Sequence, residues 1–193
     1  MSSQVSLYSI NSTLILDNEG KRIYAKYFKP PHGVLEDNSK LYNNDKNQKT
    51  FEKNLFAKTY KVGGDIILFE NQVVVYKQYS DIIIYMIGGL EENESLLSTT
   101  LSGLTAALEI VLQNNIDQKS VQENYDLVAL AIDETVDDGI ILEYDPAVIA
   151  SRVTNAPSQD IPSLKTIDLS EKGLLNAFQF ARSKINEKLQ QGL

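Results

Sequence analysis

Cysteine and tryptophan are absent from the 193 residues, and histidine occurs once, at position 32. Without thiols there is no disulfide framework, no thiolate nucleophile and no cysteine-ligated metal; this suits a cytosolic chain without requiring one. His32 follows Pro30-Pro31 in a polar stretch, and nothing is spaced around it to form a catalytic triad or a metal site. Basic side chains are also few. Eighteen lysines and arginines face 26 acids, for a formal charge of −8, which argues against a nucleic-acid-binding surface.

Long apolar runs are missing too. The longest, residues 82–90, is about half of the ~20 residues a membrane helix needs. The opening MSSQVSLYS has neither a basic nor an apolar signal region, Ser2 stands where myristoylation needs glycine, and no C-terminal cysteine offers a prenylation site. The pairs Gly63-Gly64 and Gly88-Gly89 do not extend into a phosphate-binding glycine pattern. The expectation is a non-enzymatic chain with no catalytic residue, no cofactor and no metal, carried to any membrane by a partner.

What is present is a sheet. Residues 65–89 read DIILFENQVVVYKQYSDIIIYMIGG, with apolar runs at 66–69, 73–79 and 82–87 parted by short polar turns. Runs this short, rich in β-branched and aromatic residues, predict consecutive strands of a meander. The third is apolar at nearly every position and should be covered on both faces. Upstream, residues 5–16 and 22–28 flank a turn at Gly20 and predict a long hairpin. Tyr8, Ile10, Leu14 and Leu16 share one parity there; Ile23, Ala25 and Tyr27 share another.

Helices fill the gaps. A polar stretch, about 29–49, reads as a mobile loop. Helical periodicity begins near Thr50, with Phe51, Leu55, Phe56, Thr59 and Tyr60 on the apolar stripe and Glu52, Lys53, Asn54 and Lys58 outside it. Acids at 91–94 open a second helix carrying Leu97, Leu101, Leu104 and Leu108. A third is expected over 120–132, with Ser120 and Glu123 as a capping box and Val121, Tyr125, Val128 and Ile132 along one face. Asp145-Pro146 caps a short helix to Val153. Residues 154–169 read as a linker, and 170–193 as an amphipathic helix that needs something to lie on.

The acids Asp133, Glu134, Asp137, Asp138, Glu143 and Asp145 form the densest ionisable set. They fail as an EF-hand, since the glycine falls seventh rather than sixth and Tyr144 stands twelfth. A helix end and turn that use carboxylates as solvated, locally hydrogen-bonding groups explains them better.

Three blocks carry a resemblance: STLILDNEGKRIYAKYF, LFENQVVVYKQYSDIIIYMIG and NYDLVALAIDETVDDGIILEYD. In this order they resemble the small chains of vesicle-coat adaptors, over residues 12–153, and most of all the branch belonging to the COPI coat, which the closing KLQQGL also fits. The resemblance implies a longin-like α+β fold: a five-stranded antiparallel sheet flanked by helices on both faces, at 1–153, plus the C-terminal helical extension. It further implies a direct partner in the large γ subunit of the coat, contacts with the other coatomer subunits, and recruitment to Golgi membranes through the small GTPase Arf. Adaptor small chains also bear a groove for acidic dileucine peptides; the matching residues would be Asn115, Ile116 and Val121, whose types suit plain core equally well. The alternative is a free-standing longin-type trafficking regulator, SNARE-like or GTPase-binding, whose SNARE form would continue into heptads and an anchor.

Overall fold

The computed structural model describes residues 7–29, 44–113 and 115–154. All of them belong to the first of two compact units, 1–154 and 155–193. The expected linker and C-terminal helix, His32 and most of the expected loop lie outside the described residues.

Five antiparallel strands form one sheet in the order β2-β1-β5-β4-β3. They are β1 (Ile10–Asp17), β2 (Arg22–Tyr27), β3 (Ile66–Phe69), β4 (Gln72–Gln78) and β5 (Ile82–Gly89). The expected meander is therefore β3-β4-β5, and its last strand lies at the centre, paired with β1 as well as β4. Alternation along β5 divides two cores. Ile82, Ile84 and Met86 enter one, Ile83, Tyr85 and Ile87 the other. Each side chain removed from water in this way stabilises the fold by about 1.5–3 kcal/mol.

Helix α1 (Asp45–Thr59) covers one face, burying Phe51 and Leu55 against Leu14, Leu16, Val74 and Tyr85. The other face is covered by α2 (Glu94–Val111), α4 (Tyr125–Thr135) and α5 (Pro146–Thr154). Leu97, Leu104, Leu108, Val128, Ile132 and Ile149 pack there. A short helix, α3 (Gln118–Glu123), precedes α4, and a two-stranded hairpin of β6 (Val136–Asp137) and β7 (Ile140–Ile141) follows it. Among the described residues no helix is long and apolar enough to cross a membrane.

Several local expectations are corrected. Helix α1 begins at Asp45, where Asn44 accepts a hydrogen bond from the Lys46 amide at 3.0 Å. Its first turn is wholly polar and so gave no apolar period to read. The expected 120–132 helix is two helices. Asp117, not Ser120, caps the first by accepting from the Ser120 amide at 2.7 Å. The chain then breaks at Asn124, whose side chain donates to the Ser120 carbonyl at 2.9 Å. Tyr125 is 46% exposed rather than core, tilted against Tyr24 with ring centroids 6.0 Å apart. Glu52, expected on the wet side of α1, is 2% exposed.

The β1 hairpin is shorter than its parity suggested. Tyr8 bridges Ile140 instead of pairing with β2. A register shift against β5 between Ile10 and Ser12 turns the strand over. Ile10 consequently joins Ile15 in the three-helix core, while Leu14 and Leu16 join the α1 core. Beside that shift, Gly88 and Gly89 put no side chain between β1 and β4, and the Asn11 amide donates across β5 to Gln72 Oε1 at 3.0 Å.

Gly103 lets α2 lie directly on the segment before α5: a Cβ there would strike the Tyr144 backbone carbonyl. Gly103→Ala should therefore lower stability by about 2–3 kcal/mol through this clash, although alanine is the better helix former by about 1 kcal/mol. A chemical denaturation series checks this; a more stable variant would contradict the close approach.

Candidate interaction surfaces

Four of the six acids are engaged by neighbouring groups, and Asp137 and Asp138 are exposed. Asp133 pairs with Lys26 at 2.7 Å, and Arg152 reaches Glu134 at 3.3 Å and Glu143 at 3.8 Å. Asp145 caps α5, accepting from the Ala147 and Val148 amides at 2.9 and 3.1 Å. Glu143 accepts from the amides of Asp145 and Tyr144, which hold its carboxyl below the usual glutamate value. Among the described residues no group of three histidine, cysteine or acidic side chains is disposed to hold a metal ion.

Of the groove residues, Val121 is wholly buried and Ile116 is 7% exposed, both packed in the three-helix core. Asn115 lies at the surface, donating to Ser120 Oγ at 2.9 Å. Asn115 and Ile116 border an open depression of about 370 Å3 with Tyr79, Ser80, Glu109 and Asp117; Val121 is not on its wall. Lys77 stands close by, its ammonium 5.4 Å from the centre of the Tyr79 ring and 3.4 Å from Glu109. Burial raises the Tyr79 phenol above its ordinary value, with Lys77 opposing. The Asp117 carboxyl is lowered by the Ser120 amide it accepts from.

The opposite face is organised by a pair that sequence reading missed. Glu52 on α1 accepts from Arg22 Nη2 at 2.6 Å and Nε at 3.0 Å, and from the Tyr27 hydroxyl at 2.8 Å. Arg22 also reaches Asp45 at 3.2 Å and Gln48 at 3.2 Å. Burial acts to lower the Arg22 pKa, but Glu52 outweighs it and the net shift is upward; burial and then Glu52 drive the Tyr27 phenol far up. At the far end of α1, Thr59 Oγ1 and the Tyr85 hydroxyl lie 2.7 Å apart, and burial pushes the Tyr85 phenol up to about 12. These contacts fix which side of α1 faces out.

The third surface is the β3 edge of the sheet. Ile67 and Phe69 turn into the α1 core, so Ile66 and Leu68 point to the other face, beyond the cover of α2, at 45% and 69% exposure. Val62, in the turn leading in, is 60% exposed. Among the described residues nothing pairs with the outer side of β3, and an apolar edge strand of this kind is a ready surface for another chain.

A sheet of this order, with one helix on one face and several on the other, matches a chain of a homology model of the full-length AP-3 complex in a stretched open conformation. The match has a TM-score of 0.54 at 14% identity and covers 75% of this chain and 90% of that one. In sequence, residues 9–160 match the clathrin adaptor complex small chain family. The chain belongs to that family of vesicle-coat small subunits. More particularly it is similar to coatomer zeta subunits. It is 50% identical to coatomer subunit zeta of Saccharomyces cerevisiae over 99% of this chain and 100% of that protein. It is 37% identical to coatomer subunit zeta-1 of Homo sapiens over 95% and 94%.

The Arg22–Glu52 pair generates a prediction. Glu52→Ala leaves a half-buried guanidinium without its main partner, and Arg22 is 26% exposed, so the loss is at the low end for a broken buried pair, about 2–3 kcal/mol. Glu52→Ala with Arg22→Ala should cost less than the two single changes together, by at least about 1 kcal/mol in a double-mutant cycle. Additive losses would mean that the pair does not couple α1 to β2.

Proposed function

We propose that this chain is a non-enzymatic small subunit of the COPI coat. It binds the large γ subunit directly, meets the other coatomer subunits within the complex, and reaches Golgi membranes as a peripheral, cytoplasmic component when Arf recruits the coat. The transport it supports is retrograde Golgi-to-ER and intra-Golgi. The observation that carries this reading is the likeness to coatomer zeta subunits, which runs through all but 1% of the chain at half identity with the yeast protein. The exposed β3 edge supports it physically. A four-residue strand with Val62, Ile66 and Leu68 in water gains stability when a larger apolar partner covers it.

Co-expression with a tagged γ subunit is the test. The chain should be recovered with it in equal amounts. Changing Ile66 and Leu68 to Asp, both already exposed, should reduce recovery by at least about 10-fold, as charge in an interface core does, and leave the melting temperature of the isolated chain nearly unchanged. A chain that never co-purifies with γ contradicts the reading; an undiminished double variant removes β3 as the contact.

A further inference from the structure

Charge is divided by the sheet. Residues 90–154, which supply α2, α4 and α5, hold thirteen carboxylates against only Lys119 and Arg152. Residues 44–61, which supply α1 on the other face, hold five lysines against two acids. Both of those acids are already engaged by Arg22, Glu52 at 2.6 Å and Asp45 at 3.2 Å. Lys46, Lys49 and Lys53 recur at helical spacing on the side of α1 turned away from Phe51 and Leu55, and all three are exposed. With Asp45, Thr50 and Asn54 they border one wide, open basin of about 630 Å3. Lys49 pairs with Asp45, one turn back on the same helix, at 2.7 Å.

From this arrangement we propose that the outer face of α1 is a docking surface for an anionic lipid membrane, with Lys46, Lys49 and Lys53 against the headgroups. Two observations select a membrane over an acidic protein. The face is built from lysine, not from the arginine and aromatic residues that anchor protein interfaces. Beside the lysines on that face stand Asp45, Thr50, Asn54 and Ala57, so no large apolar side chain is offered to a partner's pocket. Electrostatic adsorption to headgroups requires neither. The net charge of −8 does not oppose it. The acidic helices lie beyond the sheet, at layer spacings of about 10 Å, while the Debye length in physiological salt is about 8 Å. The nearest face therefore decides the sign of the interaction, and the remote acids orient the molecule with α1 toward the bilayer. This surface is separate from the β3 edge and does not depend on which large subunit binds there.

The test is flotation of the purified full-length chain with vesicles of phosphatidylcholine alone or with about 30 mol% phosphatidylserine, at low salt and at about 0.5 M salt. Binding should require phosphatidylserine and disappear at high salt. The triple variant K46Q/K49Q/K53Q should partition about 100-fold more weakly, about five-fold per lysine, with an unchanged circular dichroism spectrum. Lys119→Gln, on the acidic side, should float like the parent. Equal binding to neutral vesicles, no binding to any vesicle, or an undiminished triple variant would each overturn the proposal. So would lysine-dependent capture of a polyglutamate peptide without vesicle binding, which would assign the face to an acidic protein.

Discussion

Pairing of β5 with β1 on one side and β4 on the other is the interaction on which the rest of the described structure stands. The strand has no wet face: from Ile82 to Ile87 every side chain is buried, alternately under α1 and under the three-helix layer. Its glycine end matters equally. Gly88 lies against Leu97 and the Ser9 carbonyl, with no room for a Cβ, and next to Gly89, the register partner of Gln72, the Asn11–Gln72 hydrogen bond ties β1 to β4.

With the centre so completely enclosed, what remains for interaction lies at the periphery. The β3 edge offers apolar side chains and a ladder side unpaired among the described residues; the outer face of α1 offers lysines. These are different kinds of surface, and α1 is held in one orientation by Arg22–Glu52 near one end and Thr59–Tyr85 at the other. On the proposals made above, one side serves the chain that completes the subunit and another the membrane that the coat covers.

The strands of the meander and the helices α2 and α5 were legible because each rests on local periodicity or a local cap, such as Asp145-Pro146. The failures share a different cause. Glu52 read as a wet residue because Arg22, which makes its burial tolerable, lies thirty residues away and pairs with it only after β2 and α1 are packed. The reversal of β1 between Ile10 and Ser12 depends on hydrogen-bond register against β5, which no property of these three residues encodes alone. The break at Asn124 lies inside a continuous apolar period, and only the asparagine side chain marks it. Of the groove residues, composition could not distinguish Val121, wholly buried, from Asn115, which is at the surface. The adaptor-family resemblance supplied what periodicity could not, namely that the strands join in one five-stranded antiparallel sheet with helices on both faces.

Residue-resolved amide hydrogen exchange on the full chain tests the central role of β5 most directly. The amides of Ile83 to Ile87 should exchange only through global unfolding, whereas those of β3 should open locally, faster by at least about 100-fold. Equal exchange in β3 and β5, or exchange in β5 that outpaces α1 and α2, would contradict a fold assembled around that strand.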